Sequence, residues 1–360
     1  MTTTLRPMSL CAELTYRCPL KCAYCSNPIE LSKYSQELDT EDWLRVLHEA
    51  AELGIIQMHF SGGEPMLRED LLELIRTARA LDLYSDLSTS GFTANADSLA
   101  ALKEAGLDAI QVSLLDSNAE GNDRIAGTVS FNQKCEAIHI AKSLGFPVSL
   151  NIVLHRHNLD HLPELLGMAR DWGVERLELA HVQYVGWAFE NRNALMPTHD
   201  QLERTKRMVA EFATQMRGKM FVLHVLPDYF QARPKACLQG WGNQFMSIAP
   251  DGAVLPCQTA REIPGLVFPN VRDESLNDIW FDSEVFNKFR GTDWLPEPCQ
   301  SCDQKEIDFG GCRCQAFLIT GDMSRTDPIC ERSPDHHLVE QALVEAGASD
   351  SDFQYRVLRK

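Results

Sequence analysis

The sequence predicts an α/β fold on a parallel sheet, followed by a smaller module ordered by cysteine. From about residue 8 to 217, short apolar runs alternate with amphipathic helical patterns, as repeated βα units do. Chemically distinctive groups fall just after the apolar runs, where ligands sit in parallel β/α sheets and barrels. Beyond residue 217 the periodicity fades, and Pro, Gly and Cys take over until about Pro334.

The candidate strands are Ser9 to Leu14, Ile55 to Phe60, Tyr84 to Ser88, Ala109 to Leu114, Val148 to Leu154 and Arg176 to His181. Six are short of a full barrel. Asp39-Thr40-Glu41-Asp42 caps a helix reaching Leu53, Arg68-Glu69-Asp70 starts another, and Asn95-Ala96-Asp97 a third, each followed by apolar residues at helical spacing. Gly54, Gly106 and Gly145 stand where glycines end helices, and a further helix runs around Asp200 to Met216. In the second module, Met246 to Ala249 and Ala253 to Leu255 flank a Pro250-Asp251-Gly252 turn and read as a hairpin. So little regular apolar pattern needs more than a core to order it, and seven cysteines from Cys237 to Cys330 supply that if they hold metal. His336 to Ala346 reads as a last helix, and the Ser/Asp-rich segment after Gly347 as a loose tail.

The 360 residues carry 51 acidic and 34 basic groups, a formal charge of −17, and no long Lys/Arg block. A nucleic-acid partner is excluded on this balance, since a duplex binder needs a basic footprint. Met1-Thr2-Thr3-Thr4-Leu5-Arg6-Pro7 lacks the apolar core of a signal peptide, and no stretch approaches the ~20 apolar residues that span a bilayer. No membrane role is expected. A cytoplasmic, reducing location follows, in which the ten clustered cysteines of the 12 serve metal rather than disulfides. Cys11 and Cys135 stand apart and read as buried small hydrophobes.

Cys18-x3-Cys22-x2-Cys25 follows the first strand, with Tyr24 just before the last thiol. Three thiolates can hold three irons of a [4Fe-4S] cube and leave the fourth for another ligand. A structural zinc site needs four ligands, and after Cys25 no cysteine occurs before Cys135. Ser61-Gly62-Gly63-Glu64-Pro65 ends the second apolar run, where a glycine pair lets backbone approach a ligand. The two motifs together resemble the signature of the radical S-adenosylmethionine (radical SAM) superfamily. The resemblance implies a partial (β/α)6 TIM-like barrel, with a [4Fe-4S] cluster on Cys18, Cys22 and Cys25 whose open iron chelates S-adenosylmethionine. It also implies that Tyr24, Gly62, Gly63 and Glu64 lie at the cofactor. Thr89, Ser113 and Asn151, near strand ends, are candidates for its polar parts, and Arg124 for its carboxylate. His155 and His157 read as solvated loop histidines.

The second cysteine field runs Cys237-x14-Gly252-x4-Cys257, Cys299-x2-Cys302, Cys312-x1-Cys314 and Cys330. It resembles the SPASM extension of some radical SAM enzymes, whose pattern includes Cys-x2-Cys-x5-Cys-x3-Cys; laid from Cys299, the third position is Asp308. Four-cysteine zinc ribbons share the CxxC pairs, so zinc stays open on spacing alone. The SPASM resemblance implies two auxiliary iron-sulfur clusters, [4Fe-4S] and/or [2Fe-2S]. Cys237, Cys257, Cys312 and Cys314 would hold one, and Cys299, Cys302, Asp308 and Cys330 the other. The implied domains are 1–217 (radical SAM barrel), 218–335 (SPASM) and 336–360 (helix and tail).

The segments from Glu13 to Pro28 and from Asp308 to Phe317 are more specific and resemble the radical SAM peptide cyclase family of pyrroloquinoline quinone (PQQ) biosynthesis. That resemblance implies carbon-carbon bond formation between glutamate and tyrosine side chains of a ribosomal precursor peptide. It also implies a small peptide chaperone and an electron donor as partners. Only 17 residues precede Cys18, too few for a fused peptide-recognition domain, so recognition in trans is expected. Another SPASM enzyme, a sulfatase maturase or thioether-forming enzyme, is the alternative, against which Asp308 and Cys312-x-Cys314 argue. A cysteine-rich scaffold or electron carrier is the third reading, and it leaves the open three-cysteine site without purpose.

Overall fold

The computed structural model describes residues 6–347 and 352–356. Among the described residues the strands are β1 (Ser9–Glu13), β2 (Gln57–Ser61), β3 (Tyr84–Thr89), β4 (Ala109–Leu114), β5 (Val148–Leu154), β6 (Arg176–His181), β7 (Phe221–Val225), β8 (Phe245–Ile248) and β9 (Val254–Leu255). The chain forms two compact units that interleave in sequence. One takes the chain up to Tyr16, Glu30–Ser85 and Asp228–Ala342; the other takes Arg17–Ile29, Asp86–Pro227 and the chain from Leu343 on.

In the first unit β1 lies between β2 and β8 and runs parallel to both, while β9 returns antiparallel to β8. The expected hairpin is present. Gly252 turns it at φ 90° with its N–H on Ala249 O, and a Cβ there would meet Asn270 Oδ1 at 2.5 Å. In the second unit β3 to β7 pair successively in parallel. The six strands read from sequence are all there, with ends differing by up to two residues in β1 to β3. β7 is a seventh, inside the stretch read as the cysteine module. None of its residues is fully buried, so it lacks the in-out alternation by which strands are read.

Helix boundaries follow local chemistry. Asp39 accepts from Asp42 N at 2.9 Å to cap Thr40–Leu53, whose Trp43, Val46, Leu47, Ala50 and Leu53 form the buried stripe, and Gly54 ends it at φ 91°. Asn95 and Ser98 close a reciprocal capping box on Ala96–Ala105. The helix Leu71–Ala80 starts where expected, but Asp70 does not cap it. Its carboxylate instead receives Arg68 and the Thr40 hydroxyl. The last helix is His337–Gly347. Of the expected loose tail, residues 348–351 and 357–360 lie outside the described residues, whereas 352–356 are packed against the second unit. Among the described residues no helix is long and apolar enough to cross a membrane.

Candidate functional site

The three-cysteine loop belongs to the second unit and is pinned through its backbone. Lys21 N donates to Ala126 O (2.8 Å) and Ala23 N to Ile125 O (3.0 Å), fastening it to the end of the Ala119–Ala126 helix. Cys25 N closes a turn on Cys22 O (3.1 Å), and Trp187 N donates to Cys25 O (3.0 Å). Gly186, at φ 57°, allows that approach, because a Cβ there would stand 2.8 Å from Asn27 O. None of these bonds uses a thiol. Cys18, Cys22 and Cys25 are partly exposed, and Cys18 and Cys25 are close enough that each raises the cost of ionising Cys22. Burial is the larger effect and pushes the Cys22 thiol up to about 12, while Lys134 and Arg356 pull it down. Three neighbouring thiols with two cations at their edge suit a cluster, which takes them as thiolates.

Lys134 was not singled out from sequence. It stands with Ala137, Ile138 and Ala141 on the buried stripe of the Phe131–Ser143 helix, and a lysine on that stripe was the available signal. Its side chain is fully buried, and Nζ donates to Ser90 O and Ser113 O, both at 2.9 Å. Gly91 lets the helix come close, since a Cβ there would lie 3.1 Å from Ala137 Cβ. The Arg124 side chain is 50 % exposed, lies 3.9 Å from Asp352 and covers the Phe353 ring at 5.1 Å.

Thr89 is buried, its hydroxyl accepting from Gly91 N (3.0 Å). Ser113 and Asn151 face each other in register on β4 and β5, and Asn151 Oδ1 is buried with no partner among the described residues. Tyr24 lies 6.2 Å, centroid to centroid, from His155. His155 is not solvated: it is fully buried, because Asn158 folds the loop back by accepting from His155 N and donating to Leu115 O and Val153 O. Burial lowers its pKa to about 3. His155 Nδ1 accepts from His157 N, which leaves the proton on Nε2, a buried donor without a partner among the described residues. His157 is half-buried, its Nε2 on Ala194 O.

In the first unit, Gly62 takes φ 136° and a Cβ would meet Thr15 O at 2.4 Å, so glycine is required. Gly63 N donates to Thr15 O (2.6 Å), and buried Glu64 accepts from Met66 N (3.2 Å). Glu13, at the end of β1, was not foreseen. It receives the Tyr16 hydroxyl and Gln258 Nε2, both at 3.4 Å, and Gln258 also donates to Cys11 Sγ at 3.2 Å. Burial lifts the Glu13 carboxyl to about 7 against the pull of Arg261, so it can exchange a proton near neutrality.

The second cysteine field converges into two donor sets in this unit. Cys237 and Cys314 each interact with both Cys257 and Cys312, closing a ring of four sulfurs. Donation within the ring holds Cys237 and Cys314 well above an ordinary thiol and Cys257 and Cys312 well below. Cys299, Cys302, Asp308 and Cys330 line one shallow pocket together with Asp327 and Arg332, whose Nη1 donates to Cys302 Sγ at 3.2 Å. Among the described residues no three such donors close around a point as a single ion needs; a polynuclear cluster takes donors spread around its volume. Asp327, which sequence reasoning missed, ties the two sets. Its buried carboxylate accepts from Cys312 N (2.8 Å), Ile329 N (3.0 Å) and Gln315 Nε2 (3.0 Å), and Gly311 is kept small by it.

Residues 12–169 match the radical SAM superfamily, and residues 237–303 the SPASM family, an iron-sulfur cluster-binding domain. The chain is 50 % identical over 357 residues to the PqqA peptide cyclase of Gluconobacter oxydans, covering 99 % of both. It is 49 % identical to that of Granulibacter bethesdensis, covering 99 % of this chain and 96 % of the relative. Among solved structures, Streptococcus suis SuiB bound to precursor peptide SuiA superposes with TM-score 0.74 at 18 % identity, over 91 % of this chain and 77 % of that one. Native anSMEcpe with bound AdoMet superposes with TM-score 0.65 at 16 % identity, over 95 % and 97 %. These two show the fold, an unclosed partial barrel with a mostly parallel sheet and a cysteine-rich extension. The chain is thus a radical SAM protein with a SPASM domain and belongs to the PqqA peptide cyclase family.

Proposed function

We propose that this protein joins the glutamate and tyrosine side chains of the PQQ precursor peptide by a carbon-carbon bond. The observation that carries the reading is near-full-length identity of about half to PqqA peptide cyclases, in a chain that keeps an open three-thiol loop and two further donor sets. When bound at Cys18, Cys22 and Cys25, a [4Fe-4S] cluster with S-adenosylmethionine supplies one-electron cleavage and a hydrogen-abstracting radical.

The chain's own residues orient and enclose. The backbone of Gly62 and Gly63, with Glu64, receives the methionine end, and Lys134, in place of Arg124, pairs its carboxylate. Thr89, Ser113, Asn151 and Tyr24 take its remaining polar and ring surfaces. Cys237, Cys257, Cys312 and Cys314 would hold one auxiliary cluster, and Cys299, Cys302, Asp308 and Cys330 a second, and such clusters would supply one-electron redox chemistry. Residues 1–217 form the radical SAM part, 218–335 the SPASM part and 336–360 the closing segment. A peptide chaperone and a cytosolic electron donor complete the system.

The test is anaerobic turnover of reconstituted enzyme with S-adenosylmethionine, precursor peptide and chaperone, read by mass spectrometry. The expected product is a peptide lighter by two hydrogens, with 5′-deoxyadenosine formed. Nucleoside without peptide change would refute the substrate. Asp308 has its own check: Asp308→Cys replaces a hard carboxylate by a more electron-donating thiolate. One auxiliary electron paramagnetic resonance signal should change while the others stay, and an unchanged spectrum would remove Asp308 from the ligand set.

A further inference from the structure

The described C-terminal segment runs against the three-cysteine loop and its supports. Gln354 N donates to Asn191 Oδ1 (2.7 Å), and Asn191 Nδ2 donates to Gln354 O (2.9 Å) and to Ala23 O within the loop (3.0 Å). Tyr355 donates its hydroxyl to Arg124 O (2.6 Å). Its ring and Lys21 Cβ stand 3.0 and 3.1 Å from where a Cβ on Gly127 would be, so the segment packs against the helix end that anchors the loop. Phe353 lies edge to face with His157 at 5.0 Å.

Arg356 ends this run and is 8 % exposed. Its Nη2 donates to Leu20 O (2.5 Å) and Cys18 O (3.4 Å), two carbonyls of the loop. Its Nε and Nη1 are buried and find no acceptor among the described residues. A buried guanidinium with two unpaired donors is costly. Arg356 and Lys134 both bring positive charge to Cys22. An acceptor that meets the spare donors and suits the charge is the sulfur of an anionic iron-sulfur cluster, whose potential responds to such hydrogen bonds.

We propose that Phe353–Arg356 is a strap that holds the three-cysteine loop, and that Arg356 is a positioning residue donating Nε–H and Nη1–H to sulfur of the cluster on Cys18, Cys22 and Cys25. The inference rests on that cluster assignment. Donors and positive charge favour the reduced, more negative cluster, so their loss lowers its potential.

The test uses reconstituted full-length enzyme with Arg356→Met, Arg356→Gln and Arg356→Lys, in potentiometric titrations followed by electron paramagnetic resonance. Arg356→Met and Arg356→Gln should move the potential of the loop cluster to more negative values, Arg356→Lys should recover part of the shift, and the auxiliary signals should stay, which also reports folding. Truncation after Ser351 should reproduce the shift and speed iron loss from the loop to a chelator several-fold. A loop cluster at wild-type potential in either neutral variant overturns the proposal, and if one does not fold the other decides. Failure of the underlying assignment looks different: Cys22→Ala would then leave the number of reducible clusters unchanged.

Discussion

Replacing Cys22 by alanine is expected to abolish cleavage of S-adenosylmethionine and to remove roughly one [4Fe-4S] cluster's worth of iron, while the auxiliary iron stays. The loop should survive the change. Its anchors are Lys21 N, Ala23 N, Cys25 N and the Cys25 carbonyl, and the Cys22 contribution to them is its own carbonyl, which alanine keeps. Two remaining thiolates are too few to retain the cube with its open iron. The auxiliary donors lie in the other compact unit, where the four-sulfur ring and the Asp308 pocket contain no loop residue. Iron analysis and nucleoside quantification, wild type against variant, check this. Retained cleavage would refute the assignment of Cys18, Cys22 and Cys25 as the site of chemistry.

What could be read from the chain in advance was local chemistry. The spacing Cys18-x3-Cys22-x2-Cys25, the Gly62-Gly63 pair and the Asp39 and Asn95 caps act over a few residues, and each lies where such spacing puts it. Periodicity found β4, β5 and β6 to the residue, because their buried positions alternate with half-buried ones. It missed β7, whose residues are half-buried or exposed throughout. The larger misses depend on contacts distant in sequence. Nothing near Arg356 says that its guanidinium reaches Leu20 O, and nothing near Asp327 says that it will accept from Cys312 N. The ring of Cys237, Cys257, Cys312 and Cys314 is equally non-local, and came into view only through the SPASM resemblance.

Lys134→Met should weaken S-adenosylmethionine binding by about 10- to 100-fold, from the ~1.5–3 kcal/mol that a charge-assisted hydrogen bond contributes at ~1.4 kcal/mol per tenfold. The same substitution should lower stability, because Ser90 O and Ser113 O each lose a buried charge-assisted hydrogen bond from Lys134 Nζ. Methionine fills the space of the lysine stem, so a cavity does not confuse the result. Arg124→Gln provides the contrast. Its guanidinium is half exposed and engaged with Asp352 and Phe353, so binding should stay within about twofold of wild type, the ~0.5 kcal/mol range of surface changes. Equilibrium binding to reconstituted enzyme, with a thermal melt of each variant, separates affinity from stability. If Arg124→Gln were the variant that lost affinity and Lys134→Met kept it, the carboxylate partner would be Arg124, as first expected from the sequence. Lys134→Arg sharpens the comparison, since it keeps the charge but must fit a planar fork where an ammonium points at two carbonyls. Affinity should then recover partly, and less stability should be lost than in Lys134→Met, because a cation again faces Ser90 O and Ser113 O.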